Sequence, residues 1–345
     1  MEPFRLLYAT AKEQLRQQPR RFLVTGAAGF IGSNLVEALL RLGQTVIALD
    51  NLQAGCEANI QSAIMDSGNP GGRELLTFIK ADIRDAAACE AACRGVDVVL
   101  HQAALCSVPA SIENPLLNHG CNVDGFLNIL AAARQCGVRR IVYASSCAVY
   151  GDTETLPLQE SLPVRPGTPY ALAKSINEEY ARLFSRLFGI ETIGLRYFNV
   201  FGKRQDPEGP YAAVIPRWTE RLLSGERAEI YGDGLTTRDF CPVDNIVQAN
   251  LLAATTENPE ALNRVYNVGS GAPRTLNDLH SDITTVLVAE GRLASAPEPV
   301  YKDFRAGDIR HSHADITLAR KLLGYVPVQD QTAALRDYLL WHSTR

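Results

Sequence analysis

At 345 residues and 37.7 kDa the chain can bury a sizeable core, as one large α/β domain or a main domain with a smaller appendage. Hydrophobic residues make up 46% and charged residues 21%, which excludes a disordered or fibrous chain. A net charge of −4 without a dense basic cluster excludes a nucleic-acid footprint and a polybasic membrane patch, so any anionic ligand must be held by local groups.

The first segment, "MEPFRLLYATAKEQLRQQPRR", interrupts its apolar residues with charges, and it predicts a short amphipathic helix packed on the body rather than a secretory signal. From Arg21 to Ile193, apolar runs of strand length alternate with helical patterns, the signature of repeated βαβ units and a parallel sheet. The strands expected are "RFLVTG", "TVIALD", "LLTFIKAD", "VDVVLHQA", "RRIVYASS" and "ETIGLRYF". Helices are expected over "IGSNLVEALLRLG", "DAAACEAACRG", "VDGFLNILAAARQCG" and "PYALAKSINEEYARLFSRLFG", two of them stopping at Gly43 and Gly137, where a left-handed cap is cheap. Residues 51–74 read as a surface loop or a short helix plus turn. After Phe198 the elements shorten, and the rhythm points to a smaller lobe assembled from non-contiguous pieces, with "VYNV" returning to the main sheet. No window reaches the roughly 20 apolar residues of a membrane span. The eight cysteines lack the spacing of zinc ligands or of a disulfide scaffold, and they read as reduced thiols in a cytoplasmic protein. His311 and His313 have no clear further ligand and read as structural or surface groups, so no metal is expected.

"LVTGAAGFIG" places Gly26, Gly29 and Gly32 between the first strand and the first helix. There the backbone can approach a pyrophosphate, and the helix amino end offers N–H groups and a partial positive charge. The second strand ends in Asp50, whose carboxylate could accept hydrogen bonds from an adenosine ribose and would repel a 2′-phosphate, which favours NAD over NADP.

Tyr170 and Lys174 stand four residues apart in a strong helical pattern and so share a face. Taken alone, the pair reads as surface decoration. Its place in the chain, after a cofactor loop and after a strand ending in Ser145 and Ser146, gives it a chemical reading. An alcohol carbon releases hydride only as its proton is removed, and a phenol with a pKa near 10 is a poor base at pH 7. Two cations, Lys174 and oxidised nicotinamide, would both favour phenolate, and a drop of about three pKa units needs roughly 4 kcal/mol. The glutamates and arginines of "NEEYARLFSR" read as a solvated helix face.

From "TGAAGFIGSN" to "GDIRHSHADI" the sequence resembles the extended short-chain dehydrogenase/reductase family and, within it, the nucleotide-sugar 4-epimerases. "HQAAL", "VYG", "RYFNVFG", "TTRDF" and "FRAGDIRHS" carry that resemblance. It implies an α/β fold, a Rossmann-type doubly wound parallel sheet over residues 1–198. A smaller substrate-binding lobe then spans mostly residues 199–345, with some later elements returning to the sheet. The family's catalytic hydroxyl stands three residues before "VYG", which selects Ser146 beside Tyr170 and Lys174. For NAD the resemblance implies contacts from Gly26, Gly29, Phe30, Ile31, Gly32, Asp50, Asn51, Asp82, Ile83, Gln102, Ala103, Ala104, Tyr170, Lys174 and Tyr197. For a UDP-sugar it implies Asn199, Arg238 and Arg305 at the diphosphate and Tyr211 to Arg217, including Ala213 and Val214, on the uridine side. Ser107, Ser145, Ser146, Asp308 and Ser312 complete the substrate set, Ser107 being equally a simple turn cap.

Relatives that dehydrate or decarboxylate carry an acid just after the catalytic hydroxyl, where this chain has Cys147 and Ala148. Epimerisation needs only the tyrosine. "HQAALCSVPAS" and "DFRAGDIRHSHADI" are similar to bacterial enzymes that interconvert UDP-N-acetylglucosamine and UDP-N-acetylgalactosamine for surface polysaccharide. In galactose-specific relatives a tyrosine matches Ser312 and narrows the pocket, and Cys147 departs from a usual third serine. The resemblance also implies a homodimer. Two other readings stay open: a UDP-hexuronic acid 4-epimerase, and an NAD-binding protein without turnover.

Overall fold

The computed structural model describes residues 2–207, 213–304, 309–327 and 330–342. A helix, α1 (Glu2–Gln17), precedes β1 (Arg21–Thr25), α2 (Phe30–Arg41), β2 (Thr45–Asp50), α3 (Glu57–Asp66), β3 (Leu76–Lys80), α4 (Ala86–Cys93) and β4 (Val98–His101). Two short helices, α5 (Val108–Glu113) and α6 (Pro115–His119), lead through a π-helical turn into α7 (Gly125–Gln135). Then come β5 (Arg140–Ser146), α8 (Pro169–Phe188) and β6 (Glu191–Tyr197). Each expected strand and helix of this half is present, and residues 51–74 hold a helix plus a turn. Gly43 and Gly137 follow α2 and α7 with φ of 71°, which a side chain tolerates poorly.

The remaining elements are β7 (Val200–Phe201), α9 (Val214–Leu223), β8 (Glu229–Tyr231), β9 (Thr237–Arg238), β10 (Cys241–Pro242) and α10 (Val243–Thr255). They continue with β11 (Arg264–Val268), β12 (Arg274–Thr275), α11 (Leu276–Ala289), β13 (Val300–Lys302), β14 (His311–Ser312), α12 (Thr317–Leu323) and α13 (Gln331–His342). The central sheet is seven-stranded in the order β11-β6-β5-β4-β1-β2-β3, and every pairing is parallel. "VYNV" does return to it, as β11 beside β6. α10 also returns: apart from Asp244 it is buried along its whole length, which explains its uninterrupted apolar and amide composition. A separate core of Trp218, Ile230, Leu279, Ile283, Leu335 and Leu339 builds the second lobe from α9, α11, α13 and short strands.

The amino-terminal helix packs on α10, burying Ala11 and Leu15 completely or nearly so, and Gln44 donates to the Leu15 carbonyl at 2.8 Å. Leu15→Ala is therefore expected to lower unfolding free energy by about 2–5 kcal/mol through lost burial and a residual cavity. Urea denaturation measures this, and a loss below about 1 kcal/mol would mean that α1 is a loosely held appendage.

Candidate active site

Close backbone approach defines the loop after β1. Gly26 has φ of 65°, and a Cβ there would meet the Ala103 nitrogen at 2.7 Å. A Cβ on Gly32 would lie 2.0 Å from the Gly26 carbonyl oxygen. Gly29 caps α2 without any side-chain bond, so the first-turn amides around Phe30 and Ile31 remain available to an anion. Asp50 is buried at the end of β2, where its two carboxylate oxygens accept from the amides of Ala28 at 2.9 Å and Leu52 at 2.7 Å. It thus braces the glycine loop and keeps lone pairs for a ribose hydroxyl. This cradle fits a dinucleotide: glycines at the approach, an uncapped helix start and a carboxylate on the next strand.

Around the cradle the other expected cofactor residues take defined places. Arg84 forks onto Asp82 at 2.9 and 2.7 Å and Asn51 adds a bond at 2.8 Å, which together hold the Asp82 carboxyl well below the usual carboxylate range. Ile83 points its side chain into the core against Gly125. The Ala103 amide donates to Thr25 Oγ1 at 3.2 Å, and Ala104 follows it, partly exposed, at the carboxyl end of β4. Gln102 closes a triangle in which Tyr197 donates to Gln102 Oε1 at 3.1 Å, Asn250 donates to Tyr197 Oη at 2.8 Å and Gln102 Nε2 donates to Asn250 at 3.2 Å. The side chains of Gln102 and Tyr197, expected at the cofactor, are thus engaged with each other and with α10.

α8 starts at Pro169 with Thr168 as its cap, so its first buried face carries Tyr170, Lys174 and, one turn on, Glu178. Lys174 donates to the Ala144 carbonyl of β5 at 2.8 Å, and its ammonium lies 5.9 Å from the Tyr170 ring centroid. The Ser146 hydroxyl lies near the Tyr170 phenol and accepts from the Ala148 amide at 3.2 Å. Burial pushes the phenol above its ordinary value, the neighbouring Cys106 and Cys147 push the same way, and the nearby Ser146 hydroxyl opposes them. Burial is thus the largest influence on the phenol in the protein alone, and the sequence expectation rests on Lys174 together with the nicotinamide charge. Burial also lowers the Lys174 value, and Cys106 and Glu178 counter that.

Ser145, expected at the substrate, donates to Glu178 of α8 at 2.6 Å, so its hydroxyl is engaged within the protein. Glu178, read as part of a solvated face, is largely covered, with its side chain 9% exposed, and takes a forked pair of bonds from Arg196 at 2.9 and 2.7 Å. Its spacing from Tyr170 and Lys174, i, i+4 and i+8, was the available signal.

A cavity of about 150 Å³ is lined by Asn199, Val214, Arg217, Trp218, Glu229, Tyr231, Thr236, Arg238, Phe240 and Leu276. Ala213 caps the helix that begins at Val214. Cys147 lies between this cavity and the end of β5: burial pushes its thiol up, and Arg238, Ser146 and the Asn199 backbone act against that. Buried Ser312 pairs with Arg238 across β14 and β9. Ser107 caps α5 by accepting from the Ala110 amide at 3.1 Å. Tyr211, Arg305 and Asp308 lie outside the described residues. His311 bonds Thr237 at 2.9 Å, and among the described residues no three ligating side chains gather as a metal site. No described helix is long and apolar enough to cross a membrane.

Residues 22–269 match the NAD dependent epimerase/dehydratase family. The chain belongs to that family, and NAD is the cofactor that its glycine cradle accommodates. UDP-glucose 4-epimerase of Mycolicibacterium smegmatis is 38% identical over 309 residues, 89% of this chain and 93% of that protein. UDP-N-acetylglucosamine 4-epimerase from Methanobrevibacter ruminantium, solved with UDP-N-acetylmuramic acid, is 38% identical with a TM-score of 0.86, covering 94% of this chain and 99% of the other. The UDP-glucose 4-epimerase of Thermus thermophilus, solved with NAD, is 34% identical with a TM-score of 0.79 over 94% of this chain and 99% of the other.

Gly32→Ala should remove the close turn that the cradle needs. We expect the NAD-to-protein ratio after gel filtration to fall below about one tenth of wild type. Full retention of NAD would show that the backbone approach at Gly32 is dispensable.

Proposed function

We propose that the chain is a UDP-sugar 4-epimerase that interconverts UDP-N-acetylglucosamine and UDP-N-acetylgalactosamine through a transient 4-keto sugar. The observation that carries this reading is the convergence of Tyr170, Ser146 and Lys174 at the end of β5, together with the cavity that presents Asn199 and Arg238. Bound NAD supplies a hydride acceptor for carbon 4 and a second positive charge. Tyr170 takes the proton of the 4-hydroxyl as hydride leaves carbon 4, and gives that proton back to the 4-keto oxygen when the hydride returns to the opposite face of the turned sugar. Ser146 orients the reacting oxygen, and Lys174 holds the phenolate form once the nicotinamide charge adds to its own. Arg238 and Asn199 grip the diphosphate, and the Val214 and Arg217 end of the cavity takes the uridine.

Ser312, small and aligned with Arg238, leaves room for an N-acetyl group. This supports the acetylated hexosamines over UDP-glucose, as does the likeness to the UDP-N-acetylglucosamine 4-epimerase. Cys147 and Ala148 offer no acid for elimination, which supports epimerisation over dehydration. A homodimer fits the exposed apolar residues Ile112, Leu116, Leu172 and Leu187, and a cytoplasmic location fits the free thiols.

Purified protein incubated with UDP-N-acetylglucosamine, UDP-glucose or their uronic acids, without added NAD, should yield the 4-epimer of the N-acetylated sugar fastest. No epimer from any of them despite bound NAD would establish a binding protein without turnover. Tyr170→Phe should lower kcat about 10³-fold while NAD stays bound, and a loss under about tenfold would place the base elsewhere. Ser312→Tyr should impair the N-acetylated substrates far more than UDP-glucose. Equal losses would contradict the steric argument.

A further inference from the structure

We propose that Arg204 is a positioning residue that holds the nucleotide-binding segment of the chain against the cofactor helix. The proposal rests on reading the cavity of Asn199 and Val214 as the nucleotide site. Arg204 stands five residues after Asn199 and ten before Val214, and its guanidinium is fully buried. Its fork reaches two helices of the dinucleotide half. Nε donates to Ser33 Oγ at 3.1 Å, and Nη2 donates to Asn34 Oδ1 at 3.0 Å and to Glu37 Oε2 at 2.6 Å, all on α2. Nη1 donates to Asp66 Oδ2 at 2.9 Å and Ser62 Oγ at 3.4 Å on α3.

The preceding residue fastens the same joint. Asn34 Nδ2 donates to the Lys203 carbonyl at 3.0 Å, and Lys203 Nζ lies 2.7 Å from Glu37 Oε2. Burial pushes the Glu37 carboxyl up, but its bonds to Lys203 and Arg204 carry it below the ordinary value, so the joint is ionic. Arg204 sits at φ of 66°, a backbone conformation that its fork holds in place. Ser33 directly follows Gly32 of the phosphate cradle, so one side chain ties the start of the cofactor helix to a segment flanked on both sides by cavity residues. A lysine could keep the charge but could not span both helices with three donors on one nitrogen.

The test compares the NAD-loaded wild type with Arg204→Met, Arg204→Lys and Asp66→Asn. In Arg204→Met, Glu37 keeps Lys203 and Arg41 as partners. Calorimetric Kd for UDP, KM for UDP-N-acetylglucosamine and kcat are measured together. Arg204→Met is expected to raise Kd and KM about tenfold or more with kcat at saturation within about twofold of wild type, and Arg204→Lys to fall between. If Arg204→Met does not fold, Arg204→Lys and Asp66→Asn carry the test, each expected to raise Kd for UDP at least about threefold. A purely structural role would lower the melting temperature and leave Kd for UDP unmoved, and that outcome, or a fall in kcat with Kd unchanged, overturns the proposal. Failure of the wild type to bind UDP would instead overturn the reading of the cavity.

Discussion

The register of α8 against β5 is the constraint on which the site depends. Two consecutive residues of the strand are tied to two turns of the helix, Ala144 accepting from Lys174 and Ser145 donating to Glu178, and Ser146 follows near Tyr170. Arg196, opposite Ser145 on β6, completes the fastening through its fork onto Glu178. Arg196 is buried, so removing Glu178 would leave its charge uncompensated. The pair therefore helps fix where the phenol falls. One slip along the strand would exchange Ser146 for a residue of the opposite face.

Asp239 plays the equivalent part in the second lobe. Fully buried, it accepts from the amides of Ser270 at 2.7 Å, Gly271 at 3.0 Å and Ala314 at 3.2 Å, while Asn199 donates to its carbonyl at 3.3 Å. Three distant stretches of chain are drawn together next to Arg238 and Ser312. The short strands β9, β12 and β14 that present these two residues are too small to persist alone, and the hub supplies what their length does not. The proposed substrate side thus rests on non-contiguous pieces held by one carboxylate, whereas the cofactor side rests on a continuous strand, turn and helix.

That difference decides what the amino-acid sequence reveals. The parallel sheet is legible because each strand is a short apolar run bounded by turn residues, and even β11 announces itself in "VYNV". The glycine cradle and the Tyr170 and Lys174 pair are legible because their geometry is local. α5 and α6 are absent from the expected helices, being only six and five residues long, and their prolines occupy helix starts while Asn114 caps α6. Glu178 misleads because a charged residue in a helix is normally solvated, and its partner Arg196 is on the following strand. Nothing local marks Arg204, whose partners lie more than a hundred residues earlier in the chain.

The account's central claim is that Tyr170 becomes a base only when a second positive charge joins Lys174. Ultraviolet difference titration of the NAD-loaded protein against its Tyr170→Phe counterpart isolates the ionisation of this phenol. The account predicts that this phenol ionises below the range of a free tyrosine, and that its titration moves upward when Lys174 is replaced by methionine. A phenol that titrates at or above 10 in the NAD-loaded protein would contradict it.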